Sequence, residues 1–379
     1  MAEGFSLSEK VYETENLGKL SILDMLTYFQ EKGVMRVSDL HIKIGAPPTY
    51  RIDGDLVKLK GLTVTTEIAK KLIYPLLSDE NLQRCLSDYS VDCSYRYGSL
   101  QFRINVFQEN DGIAAAIRAL SLDIPKVETI GFPNNVWEDI IYRKQGLVLV
   151  TGITGAGKST TIASFIDRIV KKSARRIITI EDPIEYLFQQ SYSIISQREV
   201  GRDVKSFVKG LRAVLREDPD IIFVGEMRDP ETIAMTLMAA ETGHLVFSTL
   251  HTRDTTGTIT RILDYFPAER QSEVRNQLSL GLAYIISQKL IPRKDGKGRL
   301  VAMEILNNTK YACANLIRIG KIEQLYSQLQ TKTKDKPDEK MITLESHLAR
   351  LVNEDKIDLL EAKKWANNLT SFADAVKKV

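Results

Sequence analysis

Residues 147–166, LVLVTGITGAGKSTTIASFI, narrow the choice of fold more than any other stretch of this chain. Residues 147–150 form a short apolar run that reads as a buried strand, and residues 160–171 read as the helix that follows. Between them come Gly152, Thr154, Gly155, Ala156, Gly157, Lys158, Ser159 and Thr160, in phosphate-loop spacing. Glycines let successive backbone N–H groups turn inward around a β-phosphate, and the helix start adds its dipole. Lys158 is placed to reach the β- and γ-phosphates, and the Ser159 hydroxyl to hold Mg²⁺. A glycine-rich turn with a chance lysine needs neither a strand before it nor a helix after it, so the context favours nucleotide binding.

The 379 residues suggest about two domains, on a prior of ~150 residues each. Lys and Arg number 52 against 49 Asp and Glu, a net charge of +3, too mild to imply a nucleic-acid partner. Three cysteines without a CxxC pair indicate neither a zinc ribbon nor a disulfide framework. With no basic-then-apolar leader and no apolar run near the ~20 residues that span a bilayer, the expectation is a cytoplasmic protein without membrane insertion.

Two regions differ in pattern. Residues 20–122 read as a mixed α and β domain. SDLHIKI alternates Leu40, Ile42 and Ile44 with polar neighbours, Asp53-Gly54 signals a hairpin turn, and LQFRINVF sets Phe102, Ile104 and Val106 opposite Arg103 and Asn105. Residues 1–19 are a short polar extension, and residues 123–134, with Pro125 and Pro133, read as a linker. From 135 onward, strands at 147–150, 176–180, 221–224 and 245–250 alternate with helices, which predicts an α/β domain with a parallel sheet. One helix starts with Asp229 as N-cap and Pro230 in its first turn. The tail from about 317 reads as helical, broken by the charged stretch TKTKDKPDEK.

Polar residues collect where strands end. Asp182 and Glu185 follow the second strand of this region, Glu226 the third and His251 the fourth. Open parallel sheets bind ligands at the carboxyl ends of their strands. Glu226 is the first candidate to position or deprotonate the attacking water, alone or with an outer-shell carboxylate supplied by Asp182 or Glu185. Glu181 and Asp182 also suit plain turn chemistry. His251 suits a nucleotide-state sensor, and metal ligation carries little weight. For His244, a satisfied polar residue at a strand start weighs as much as a functional role.

GITGAGKST, TIEDPIEY, LREDPDIIFVGEMRD and AAETGHLVFSTLHT stand in the order of the motifs of the secretion and type IV pilus ATPase superfamily, which this chain resembles over nearly its whole length. SDLHIKIGAPPTYRIDGDL and FRINVFQ are similar to its pilus retraction subgroup. The resemblance implies a PAS-like N-terminal domain, a RecA-like phosphate-loop motor domain with a helical C-terminal region, and a ring of six subunits. It implies ATP and Mg²⁺ at subunit interfaces and hydrolysis coupled to a platform protein at the inner-membrane pilus base, alone or with a second retraction ATPase. It makes Glu226 the catalytic glutamate, Glu185 a supporting acid and His251 a switch. It also makes Arg103 and Arg118 a pair that reaches a neighbour's nucleotide. ACANLIRIGK departs from the subgroup's C-terminal motif at Ala314 and Ile319, a motif tied to retraction rather than hydrolysis. Rival readings are an assembly or secretion ATPase, a nucleic-acid translocase on a RecA-like core and a non-hydrolysing ring subunit. The intact Glu226 argues against the last.

Overall fold

A computed structural model describes residues 6–33, 36–52, 55–98, 100–121, 124–296, 298–309, 311–335 and 339–377. The chain divides into two compact units, Met1–Asp123 with Pro183–Leu187, and Ile124–Asp182 with Phe188–Val379.

The first unit holds β1 (Tyr12–Thr14), β2 (Gly18–Leu20), α1 (Ile22–Lys32), β3 (Val37–Lys43), β4 (Thr49–Ile52), β5 (Asp55–Lys58), α2 (Thr66–Ile73), α3 (Asp79–Asp88), β6 (Ser90–Tyr97), β7 (Leu100–Glu109) and β8 (Gly112–Ser121). Its helices start where sequence chemistry says they should. Ser21 and Asp24 form a reciprocal capping box at α1, and Thr65 and Ser78 cap α2 and α3. Six strands pair antiparallel in the order β5-β4-β3-β8-β7-β6. One face is apolar. Leu40, Ile42, Phe102, Ile104 and Val106 pack with Met25, Leu26 and Phe29 of α1 and Leu72 and Ile73 of α2. Asp53 and Gly54 lie outside the described residues, but Ile52 opposite Asp55 is the register a tight hairpin gives. The N-terminal stretch carries structure of its own: β1 pairs with β2, and Tyr12 is fully buried in this core.

The second unit contains α4 (Val136–Ile141), β9 (Gly146–Thr151), α5 (Lys158–Val170), β10 (Arg176–Glu181), β11 (Ile194–Glu199), α6 (Phe207–Val214), β12 (Ile221–Val224), α7 (Pro230–Glu241), β13 (Leu245–Leu250), α8 (Thr255–Asp264), α9 (Ala268–Gly281), β14 (Leu282–Pro292), β15 (Arg299–Asn307), α10 (Tyr311–Arg318), α11 (Leu325–Asp335), α12 (Leu344–Asn353), α13 (Leu359–Trp365) and α14 (Leu369–Lys377). Seven strands run β11-β10-β12-β13-β9-β14-β15, all parallel except β14 with β15. Leu147 and Leu149 enter a core on one face and Val148 and Val150 a core on the other, so β9 and β13 are buried at every residue.

The four expected strands lie where the sequence puts them, and Asp229 caps α7 with Pro230 in its first turn. Pattern reading omits β11 and the antiparallel hairpin β14–β15. The tail is helical as expected, but α11 runs on into the charged stretch as far as Asp335, so the break falls later. Helix α9 passes into β14 with no residue between them. Among the described residues no helix is long and apolar enough to cross a membrane.

Candidate functional site

Strand β9 delivers the phosphate loop. Gly152 has φ +148°, and a Cβ there would lie 2.5 Å from the carbonyl oxygen of Gln288, so no side chain fits. Gly155 and Gly157 take φ +77° and +83°, in the left-handed region that glycine adopts without strain. Lys158 opens α5 and is 8% exposed. Its Nζ donates to the carbonyls of Gly152 at 3.0 Å and Ile153 at 3.2 Å, which folds the ammonium over the loop. Ser159 and Thr160 stand half-buried in the first turn of α5, and Thr154 is exposed in the loop. The start of α5 and its dipole favour an anion.

Strands β12 and β13 lead into the loops that carry Glu226 and His251. The Thr249 hydroxyl donates to Gly225 O at 2.7 Å and Met227 N donates to Thr249 O at 3.2 Å, so β13 pins the loop carrying Glu226. The Glu226 carboxylate is largely buried and forms an ion pair with Arg228; its Oε2 lies 3.5 Å from His251 Nε2. Partial burial lowers the His251 pKa, and the positive charges of Lys158 and Arg228 add to that against the opposing pull of Glu226. His251 is therefore neutral at pH 7, able to accept or pass on a proton. Glu226, Arg228, His251, Arg261 and Tyr265 line a cavity of about 280 Å³.

The acidic stretch separates into distinct roles. Glu181 ends β10, is buried, and accepts from the Thr179 hydroxyl at 2.6 Å and from Gln197 Nε2 at 3.3 Å, a structural anchor. Asp182 follows it and is exposed. Glu185 falls in Pro183–Leu187, which belongs to the first unit. Within the second unit, then, the sheet brings together the phosphate loop, Glu226 and His251. His244 is a satisfied polar residue, its Nδ1 2.9 Å from Ala239 O and 3.3 Å from the Thr242 hydroxyl.

In the first unit, β7 and β8 set Arg103 directly opposite Arg118, and β3 sets Asp39 opposite Arg118. Directly opposed residues share a face, so both guanidinium groups stand on the exposed side. Arg118 Nε donates to Asp39 Oδ1 at 2.7 Å, and Arg51 lies 3.9 Å from the other carboxylate oxygen. Burial pushes the Asp39 pKa up, but hydrogen bonds from Ser38 and Arg118 and the Arg118 charge outweigh it, and the net shift is downward.

Sequence reading missed four contributors. Arg228 neutralises Glu226. Gln288, 1% exposed in β14, bonds both the phosphate loop and α5. The Thr258 hydroxyl meets those of Thr252 at 2.6 Å and Thr151 at 3.5 Å. Glu304 accepts from the Thr255 amide at 2.8 Å and hydroxyl at 2.7 Å, fixing the helix that follows His251. The signal for Glu304 was a lone charged residue inside an apolar strand, which folding tolerates only when it is hydrogen-bonded; Gln288, between Ser287 and Lys289, carries no such signal. Among the described residues no cluster of three or more His, Cys, Asp or Glu side chains could hold a metal. Ala314 lies within α10, and Ile319 just beyond it is exposed.

A mainly parallel sheet with a glycine-rich loop at one strand end and a glutamate–histidine pair at two others has the form in which open α/β sheets bind ligands. The family model described as Type II/IV secretion system protein matches residues 22–349, and the chain belongs to that family. It is 42% identical over 313 residues to the type IV pilus retraction ATPase PilT of Pseudomonas aeruginosa, covering 82% of this chain and 89% of that one. It is 39% identical over 327 residues to a twitching motility protein of Neisseria gonorrhoeae, covering 86% of each. Among solved structures, the pilus retraction motor PilT with bound ADP superposes with a TM-score of 0.84 at 44% identity, over 94% of this chain and 99% of that one. The chain is an ATPase.

Proposed function

We propose that this ATPase is a hexameric motor that withdraws pilin subunits from a type IV pilus, with a PAS-like first unit and a RecA-like second unit. The observation that carries the hydrolytic part is the Glu226 carboxylate 3.5 Å from His251, at strand ends neighbouring the phosphate loop. The glycines and the first turn of α5 present amides to the β-phosphate. Lys158 exchanges its two loop carbonyls for phosphate oxygens. Ser159, supported by Asp182, would hold Mg²⁺, which would neutralise phosphate charge when bound. Glu226 orients the attacking water and takes its proton, with Glu185 in support. His251 reads the γ-phosphate.

Arg103 and Arg118, exposed on one sheet face, act on a neighbouring protomer's nucleotide, where an arginine is worth ~10³–10⁵ in rate. The ring works on the cytoplasmic face of the inner membrane against a platform protein at the pilus base, alone or beside a second retraction ATPase. A pilus retraction ATPase at 42% identity over most of both chains supports the retraction reading.

Two measurements test it. Glu226→Gln should bind ATP as the unaltered protein does and lose turnover by ~10²–10⁴; a variant that still hydrolyses ATP removes Glu226 from the mechanism. A deletion strain should be hyperpiliated and unable to twitch, whereas bald cells would mean that the motor assembles pili.

A further inference from the structure

Gln288 is a buried polar side chain that bonds both the phosphate loop and the first turn of α5. It lies on β14 one residue past Ser287, which pairs with Thr151 at the end of β9. Its Nε2 donates to the carbonyl of Ala156 at 2.6 Å, and its Oε1 accepts from the Thr161 hydroxyl at 3.0 Å. Both ends of the amide are thus engaged, which offsets the cost of burying it on an apolar strand.

The position of Ala156 gives these bonds a chemical meaning. In a trans peptide the C=O of one residue and the N–H of the next point in opposite directions. Holding the Ala156 carbonyl outward, toward β14, turns the Gly157 amide inward, toward the space the loop encloses. Gly157 has φ +83°, and glycine in that region is free to let its peptide flip. A Cβ at Gly157 would also come within 3.2 Å of Gln288 Nε2. The bond to Thr161, one turn into α5, locks the glutamine to the helix whose N-terminus faces the same space.

We infer that Gln288 is a positioning residue for phosphate binding: its side-chain amide pre-orients the Ala156–Gly157 peptide so that the Gly157 N–H donates to the β-phosphate of a nucleoside triphosphate. This rests on the nucleotide reading above. Donors fixed before the ligand arrives need no reorganisation when it binds, so losing the anchor appears in nucleotide affinity before it appears in folding.

Binding of a fluorescent ATP analogue with Mg²⁺ to the full chain tests the assignment. Gln288→Glu keeps the shape and the acceptor for Thr161, but an ionised carboxylate cannot donate to Ala156 O. Affinity should fall about tenfold or more at pH ~8. Burial raises the pKa of the new carboxyl, and once protonated it donates again. The deficit relative to the unaltered protein should therefore shrink as pH falls toward ~6. A scaffold defect would not show that recovery. Gln288→Met, which buries no charge, should weaken binding equally at both pH values, and Thr161→Val should do so by a smaller factor.

Folded Gln288→Glu and Gln288→Met proteins that bind the analogue within about twofold of the unaltered chain at pH ~8 would overturn the role. Lys158→Ala is run alongside. If it binds as well as the unaltered protein, the phosphate-loop reading itself has failed. If it is dead while the Gln288 variants bind normally, only the positioning role falls.

Discussion

The two sheets of this protein place their chemistry in opposite ways. In the second unit β9 and β13 are buried at every residue, because helices cover both faces. A reactive side chain in mid-strand would be sealed in the core, so Lys158, Glu226 and His251 all sit beyond strand ends. In the first unit, strand β7 alternates: Phe102, Ile104 and Val106 are fully buried while Arg103 between them is exposed. A half-covered antiparallel sheet can project function from the middle of a strand. The number of covered faces thus decides whether a charged residue can be exposed along a ladder or only at a strand tip.

The sharpest break of this comparison is Arg103→Ala. Activity should fall by ~10³–10⁵, while stability stays within ~0.5 kcal/mol, because the residue is exposed and faces another arginine. Mixing Arg103→Ala with Glu226→Gln subunits should restore some hydrolysis; no recovery at any ratio would mean that the arginine does not act across protomers. Arg118→Ala should behave differently, since it strips a partner from a buried carboxylate. We expect a loss of ~1–3 kcal/mol in urea unfolding at pH 7. Asp39 has a lowered folded pKa, so its contribution is present above the unfolded carboxylate pKa. The penalty should shrink as pH falls through the folded value. Equal stability losses for the two arginines would erase the distinction between a projecting residue and a ladder pair.

The smallest effect lies in the two-face-covered unit. Burial raises the pKa of Glu304 to about 7 and lowers that of His347 to about 4. Between the unfolded His pKa of ~6.5 and the unfolded Glu pKa of ~4.5, the folded state holds an extra proton on Glu304. Over the same span the unfolded state holds one on His347, so the two slopes oppose each other. Glu304→Gln removes the raised carboxyl and leaves the histidine alone. As pH falls across that window, stability should then drop by up to ~1.4 kcal/mol per pH unit more steeply than in the unaltered protein. Parallel stability curves for the two proteins would show that Glu304 is ionised in the fold.

The phosphate loop was legible because everything that defines it is local: an apolar run, glycines that tolerate positive φ, and a helix start. Glu226 and His251 were legible for a related reason, since a four- or six-residue apolar run tells the reader where its tip falls. Glu185 was harder. Its place depends on how Pro183–Leu187 leaves the strand, and that segment groups with the other unit. Gln288 was invisible in role because its partners, Ala156 and Thr161, lie 132 and 127 residues away along the chain and meet it only through the β9–β14 register. Strand β14 escaped because α9 runs into it with no residue between them. The Arg103–Arg118 pairing follows from hairpin register once β7 and β8 are recognised as neighbours.

That missing turn has a mechanical meaning. At the junction of α9 and β14, the Leu282 amide closes the last helical turn onto Leu278 O while Leu282 is already in register with Leu147 of β9. The same residue is clamped from both sides, so bending there would sever a helical bond or a ladder contact. A change of direction there is opposed from both sides, and β14 carries that constraint along to Gln288, which bonds the glycine-rich loop.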